Sequence, residues 1–320
     1  MRIVHDIACF PPGLRGGVAA MGNFDGLHLG HRAVLAQTEA LARQRGAPFL
    51  ALTFEPHPRQ FFRPDLPAFR LTPLADKARL LRALPVDGLV VLPFNAALAA
   101  TTAEDFMALL RGPAGIAHVV VGGDFRFGKD RRGSPEMLAA CPGLAFSVAA
   151  EVPGPDGGPC SSTRIRELVQ AGDCAAAAGL LGRPLEFQGR VRRGDQRGRT
   201  LGFPTLNLDM AAYLPPRHGV YAARCGLPSG RPVPAARDRD LTWVDAVANF
   251  GRRPTLGGGR PLLEVHLPGF SRDLYGATVR VQLLEFLRPE RKFAGLDALK
   301  AQITEDTATA LGWLRRHGGG

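Results

Sequence analysis

The 320-residue chain is long enough for two domains with separate cores, and its 45% hydrophobic content is that of a globular protein. No apolar run approaches the ~18 residues of a membrane span, and five scattered Cys without a Cys-x-x-Cys spacing argue against a disulfide framework and fit reduced thiols in a cytoplasm. The formal charge of +11 is almost all Arg, spread along an Ala-, Gly- and Pro-rich chain as a GC-rich genome produces; it needs no nucleic-acid or membrane partner, and a small polyanion is adequate for it. No basic region followed by an apolar core opens the chain, so no signal peptide is expected.

Gly17-Val18-Ala19-Ala20 reads as a strand, and apolar residues at 34, 35, 41 and 42, with Gln37, Arg43 and Arg45 outward, read as a helix. Between them runs Met21-Gly22-Asn23-Phe24-Asp25-Gly26-Leu27-His28-Leu29-Gly30-His31. Its Gly, Asn and Asp tolerate special backbone angles and let another group come close. Free amides at a helix start favour an anion, and two imidazoles add donors and charge, so the stretch suits a polyphosphate. A bare His pair is more often plain surface. His-x-x-His also suggests a metal, but no third ligand stands at zinc spacing.

Residues 48–54 form a buried-strand pattern that ends in Glu55-Pro56-His57-Pro58, a run expected neither to continue the strand nor to start a helix easily. Helices over 76–84, 103–110 and 162–171 and strands over 87–94, 118–121 and 144–152 follow. Apolar strands alternating with helices predict a parallel sheet covered on both faces, with ligands beyond the strand carboxyl ends. Three such ends carry the informative residues: 22–31, 55–58 and 122–128.

Gly123 to Lys129 has Walker A spacing, but Asp130 stands where a hydroxyl must hold a metal, and Phe125 and Phe127 would crowd a phosphate. It reads as a strand end and a Gly-rich turn. Ser161-Ser162-Thr163-Arg164-Ile165-Arg166 puts hydroxyls, free amides and Arg at a helix start: a simple cap, or a second phosphate site.

The character changes near Gly182-Arg183-Pro184. An Ala-rich helix over 173–181 gives way to strand candidates over 188–193, 219–225, 242–249, 262–267 and 278–286. Short strands with frequent turns predict a small antiparallel barrel, closed by an amphipathic helix over 296–314. Residues 227–240 read as an exposed hairpin loop. The expected domains are 1–183 and 184–317, with a flexible tail at 318–320.

Residues 21–31 resemble the HxGH loop of nucleotidylyltransferases, and the chain from about residue 17 to 311 resembles the bacterial bifunctional riboflavin kinase/FMN adenylyltransferase family (FAD synthetase). Further matches are Gly122-Gly123-Asp124-Phe125-Arg126-Phe127-Gly128, the Ser161–Arg166 segment, the glycine-rich run through Gly202-Phe203-Pro204-Thr205-Leu206-Asn207, Asn249-Phe250-Gly251-Arg252-Arg253-Pro254-Thr255, and Leu287-Arg288-Pro289-Glu290-Arg291-Lys292-Phe293. No K-M-S-K-like segment is present, which counts against a tRNA synthetase.

The resemblance implies a Rossmann-like nucleotidylyltransferase domain followed by a β-barrel kinase domain. Riboflavin and ATP give FMN in the second; FMN and ATP give FAD and pyrophosphate in the first. It assigns ATP in the first half to Gly22, Asn23, Phe24, Asp25, His28, His31, Asp124, Ser161, Ser162, Thr163 and Arg164, with His28 and His31 serving adenylyl transfer. Flavin falls there to Phe54, Pro56, His57, Pro58 and Phe62, beside Phe61. In the second half phosphate falls to Gly194, Gly198, Arg199, Gly202, Pro204, Thr205 and Asn207, Mg²⁺ to Thr205 and Asn207, flavin to Asn249 and Arg291, and the general base to Glu264.

Leu206 stands where the family usually has Ala, and an acidic residue often found near Gly269 is missing. Mg²⁺ with ATP is the only cofactor expected, with no tightly bound prosthetic group. The expected protein is cytoplasmic, a monomer or weak homo-oligomer. The alternatives are a single-function nucleotidylyltransferase with a degenerate barrel and a basic nucleic-acid-binding protein. Intact Pro204, Thr205, Asn207 and Glu264 argue against the first, and unclustered Arg against the second.

Overall fold

The computed structural model describes residues 1–193, 202–228, 241–252 and 261–317. Packing divides the chain into two compact units, one of Met1–Pro67 with Thr72–Ser162, the other of Ala68–Leu71 with Thr163–Gly320.

The first unit is built on a six-stranded parallel sheet. Its strands are β1 (Arg2–Val4), β2 (Val18–Met21), β3 (Phe49–Glu55), β4 (Gly88–Pro93), β5 (His118–Val121) and β6 (Ala145–Val148). Its helices are α1 (Leu29–Arg45), α2 (Pro58–Phe62), α3 (Leu74–Arg82), α4 (Ala96–Ala100), α5 (Ala103–Arg111) and α6 (Pro135–Ala139). Alternate residues of one strand enter different cores, as the period of two dictates. Leu50, Leu52 and Phe54 join Phe106 and Leu110 of α5, whereas Phe49 and Ala51 join Leu35 of α1 and Leu81 of α3. Helices thus cover both faces, which is why these strands are apolar throughout.

The strand order β1-β4-β3-β2-β5-β6 reverses direction beside β2. β3 and β4 lie to one side of β2, β5 and β6 to the other. Ligands of such sheets bind at that switch point, beyond the strand carboxyl ends. The segments leaving β2 and β5 there carry the Gly22–His31 and Gly122–Gly128 motifs.

Residues 55–58 correct one expectation. The Glu55–Pro56 bond is cis, and α2 starts directly at Pro58. Pro is tolerated at the first helical position, where its missing N–H would be unpaired anyway. The His57 ring caps the turn, its Nδ1 accepting from Arg59 N at 3.1 Å. β1, α4 and α6 have no counterpart in the sequence reading, and β6 is shorter than the 144–152 run.

The second unit opens with α7 (Ser162–Ala171), whose first residue belongs to the first unit, and α8 (Cys174–Leu181). Six antiparallel strands follow: β7 (Leu185–Arg190), β8 (Thr205–Asp209), β9 (Gly219–Pro228), β10 (Leu241–Arg252), β11 (Pro261–His266) and β12 (Thr278–Pro289). They lie in the order β7-β12-β9-β10-β11-β8. The sheet curls until its two edge strands approach: Arg192 N donates to Asn207 O at 2.9 Å, and the Tyr213 hydroxyl bonds both the N–H and the C=O of Gln188. The interior is lined by Phe187, Leu208, Ala223, Cys225, Phe250, Leu263 and Val265. Helix α9 (Leu296–His317) covers part of the outside, packing Ala310 and Leu314 on Val220, Ala222 and Val247.

Composition places a division near residue 183, but the packing divides the chain at Ser162. The helices between go with the second unit because their hydrogen bonds do: Arg217 N donates to Val169 O at 3.2 Å, and the Arg166 side chain donates from Nε to Phe69 O at 2.9 Å. Residues 227 and 228, read as loop, belong to β9; residues 229–240 and the 318–320 tail lie outside the described residues.

Candidate active sites

The loop after β2 is held in a conformation most side chains avoid. Phe24 and Leu27 have φ of 48° and 44°, and both are buried. Left-handed non-glycine residues cost on the order of 1–3 kcal/mol each and persist where surrounding structure over-determines them. Here the fastening is Asp25, only 1% exposed, whose Oδ1 accepts from Thr72 N at 2.9 Å and from Thr72 Oγ1 at 3.4 Å. Gly26 N donates to the same Thr72 oxygen at 2.8 Å. Phe24 and Asp25 therefore turn inward and shape the loop; sequence reasoning missed Thr72, which gives no signal beyond preceding a Pro.

His28 caps α1, its Nδ1 accepting from His31 N at 3.4 Å and lying 3.5 Å from Cys160 Sγ. The His28 and His31 rings stack at 3.7 Å between centroids, and Phe24 meets His31 edge-on. The motif thus becomes one aromatic stack at a helix N-terminus. Ser162, first residue of α7, donates from Oγ to Asp25 O at 2.8 Å, so its hydroxyl fastens the loop. In the next two positions Thr163 is exposed and Arg164 half-buried, while Ser161 is half-buried. Asp124 is exposed in the turn after β5, where Phe125 N closes on Gly122 O. Asn23 Oδ1 is buried without a hydrogen-bond partner among the described residues.

Beyond β3, Phe61, Phe62 and Phe54 all pack edge-on around Phe94. Phe54 is buried, whereas Phe62 is 64% exposed. An exposed aromatic on an aromatic cluster is a stacking platform. Pro56 is exposed, and His57 and Pro58 are half-buried at the start of α2. Sequence reasoning missed Lys77 as well; it is wholly buried on α3 and bonded to Thr53.

In the second unit the strand register brings three sequence candidates together. Glu264 on β11 lies opposite Asn207 on β8 and opposite Asn249 on β10. Directly opposed residues share a face, with Cβ atoms roughly 4.5–5.5 Å apart. Leu263 and Val265 on either side of Glu264 are fully buried in the barrel, so the Asn207–Glu264–Asn249 row faces the other way. Thr205, two residues from Asn207, is on that face too. Leu206 pairs with Val265 and faces the interior, away from them. In the sequence the start of β8 reads only as the end of the glycine-rich run, with no strand signal of its own. Gly202 has φ 88° and Pro204 O meets His266 Nδ1 at 3.0 Å. Arg291 is exposed, its guanidinium 5.2 Å from the Phe293 ring. Gly194, Gly198 and Arg199 lie outside the described residues, as do Arg253, Pro254 and Thr255.

A family model described as FAD synthetase matches residues 11–164, and one described as riboflavin kinase matches residues 181–314. The bifunctional riboflavin kinase/FMN adenylyltransferase of Escherichia coli (strain K12) is 38% identical over 313 residues, 97% of this chain and 96% of the relative. The chain belongs to the bifunctional riboflavin kinase/FMN adenylyltransferase family. Relatives of the same description in Pseudomonas fluorescens and Bacillus subtilis (strain 168) are 39% and 33% identical, covering 97% and 92% of this chain and 97% and 91% of their own.

A solved structure described as a macrolide-efflux protein from Streptococcus pneumoniae shares the fold with a TM-score of 0.82 at 29% identity, covering 97% of this chain and 98% of its own. Efflux is that protein's description; among the described residues here no helix is long and apolar enough to cross a membrane. As a family member this enzyme phosphorylates riboflavin with ATP to FMN and adenylylates FMN with ATP to FAD. The FAD synthetase part precedes the riboflavin kinase part, and ATP-dependent transfer of both kinds calls for a divalent cation. The oxygens offered by Thr205, Asn207 and Glu264 are hard donors, the type such a cation takes alongside water and phosphate.

Proposed function

We propose that the two reactions use two separate sets of side chains, and that the row Asn207–Glu264–Asn249 carries the kinase step. Glu264 accepts the proton of the riboflavin 5′-hydroxyl as its oxygen bonds the γ-phosphorus of ATP. The bond from that phosphorus to the β-bridging oxygen breaks, and ADP leaves with the electron pair. Asn249 and Arg291 orient the flavin. Gly194, Gly198, Arg199, Gly202 and Pro204 serve the ATP phosphates. Thr205 and Asn207 would hold the divalent ion, which we take as Mg²⁺, and bound there it would neutralise phosphate charge. Positioning and charge compensation supply most of the rate.

Adenylyl transfer needs no general base, because the FMN phosphate is already an anion near neutral pH. One of its oxygens bonds the α-phosphorus of a second ATP, and pyrophosphate leaves. Because His28 Nδ1 accepts from the His31 amide, the neutral ring carries its proton on Nε2. That N–H, with His31, stabilises the charge that develops on the α-phosphate. Ser161, Thr163 and Arg164 serve the departing phosphates, and Gly22, Asn23 and Asp124 bound the nucleotide. Pro56, His57, Pro58 and Phe62 receive the flavin, whose ring stacks on exposed Phe62.

The division of labour falls between residues 1–183 and 184–317, in a cytoplasmic enzyme that works as a monomer or weak homo-oligomer without nucleic acid. The metal assignment is tested by titrating Mg²⁺ against each activity in Asn207→Ala. The concentration for half-maximal phosphorylation rises about tenfold or more, and that for adenylylation stays put. An unchanged Mg²⁺ dependence of the kinase step overturns the assignment.

A further inference from the structure

Lys77 lies on α3 with its side chain wholly buried, a position lysine takes only with partners. Its Nζ donates to Thr53 Oγ1 at 3.0 Å and stands 3.6 Å from Glu55 Oε1. An ammonium only donates, so the Thr53 hydroxyl accepts that bond and sends its own proton elsewhere. The acceptor is the Asn23 carbonyl, at 3.2 Å. The result is a one-way chain of bonds, Lys77 to Thr53 to Asn23, with its middle member 0% exposed.

This chain takes over where backbone pairing stops. β2 and β3 pair as far as Met21 and Leu52, and Gly22 N reaches Leu52 O at 3.1 Å. One step further the Thr53 side chain bonds Asn23, just before Phe24 turns left-handed. Glu55, 3.6 Å from the ammonium and two residues along the strand from Thr53, closes β3 immediately before Pro56, His57 and Pro58. An apolar side chain of similar length would fill the space without the cost of burying a charge. What the ammonium adds is direction: it orients one carbonyl at the nucleotide loop and one carboxylate at the flavin segment.

We propose that Lys77 is a positioning residue for adenylyl transfer, setting the ATP loop through Thr53 and the FMN segment through Glu55. This rests on the ATP and flavin assignments made above. The test assays FMN adenylylation in Lys77→Met, Thr53→Val, Thr53→Ser and Glu55→Gln, with riboflavin phosphorylation by the same samples as control.

Lys77→Met lowers adenylylation kcat/KM by about tenfold or more, raises KM for both ATP and FMN, and leaves phosphorylation within about twofold. Thr53→Val raises KM for ATP alone, Thr53→Ser keeps the wild-type value, and Glu55→Gln raises KM for FMN alone. Adenylylation by Lys77→Met or Thr53→Val within about twofold of wild type overturns the proposal, and so does an equal loss in Thr53→Val and Thr53→Ser. Should Lys77→Met not fold, the isosteric Thr53→Val decides alone. Failure of the underlying site assignment reads differently, since His28→Ala would then leave adenylylation intact.

Discussion

An added Cβ at Gly30 would stand 3.2 Å from the His28 ring and 3.3 Å from the Cys160 carbonyl. The carbonyl is backbone and yields little, so the ring must move. Gly30→Ala therefore pushes the ring aside by a few tenths of an ångström and lowers FMN adenylylation by about threefold or more, while riboflavin phosphorylation is unaffected. Equal adenylylation by the variant would contradict this role for Gly30. At this scale the sequence shows residue types better than side-chain directions. His28, His31 and Glu264 are recognisable from motif and spacing. That Asp25 and the Ser162 hydroxyl are committed to fastening the loop is not, because Thr72 and Asp25 meet across 47 positions. Lys77 is hidden for a similar reason: its partner Thr53 is on strand β3, 24 positions away, and within α3 it reads as one more cation.

Elements are fixed by caps and by burial. Asp173 caps α8, its Oδ1 accepting from Ala176 N at 2.9 Å. Asp173→Ala removes that bond and costs about 1 kcal/mol, read as a lower denaturant midpoint with an unchanged slope. His118 opens β5 beside Ser147, and burial, aided by Arg45, holds its pKa below the usual 6.5. An unfolded chain takes that proton first, so this group's contribution is complete above pH 6.5 and is lost as pH falls below it. Denaturant titrations between about pH 7.5 and 5 therefore show a shallower stability loss for His118→Gln than for wild type. Parallel curves would rule His118 out as a source of acid sensitivity. Most long elements are legible because each has a clean period: α1, α5, β3, β4 and α9 match the sequence reading within a few residues. β8 is not, since Thr205–Asp209 looks like the tail of a glycine-rich loop until β11 supplies its partner. Nor is α2, because Pro58 reads as a breaker unless its place at the first helical position is known.

The whole chain joins a parallel α/β unit to a curled antiparallel one, and both architectures follow from whether strands alternate with helices or with turns. The division at Ser162 does not follow, because it is set by where α7 and α8 make their bonds and not by composition. The central claim, that two reactions run on two disjoint sets of residues, is tested most directly by one pair of variants on two substrates. Glu264→Ala and the double change His28→Ala with His31→Ala are each given riboflavin or FMN with Mg-ATP, and the flavins are separated by chromatography. Glu264→Ala is expected to leave riboflavin unphosphorylated yet convert FMN to FAD. The double variant is expected to form FMN from riboflavin and stop there. If either folded variant loses both activities, or neither loses one, the assignment of the steps to these residues is wrong.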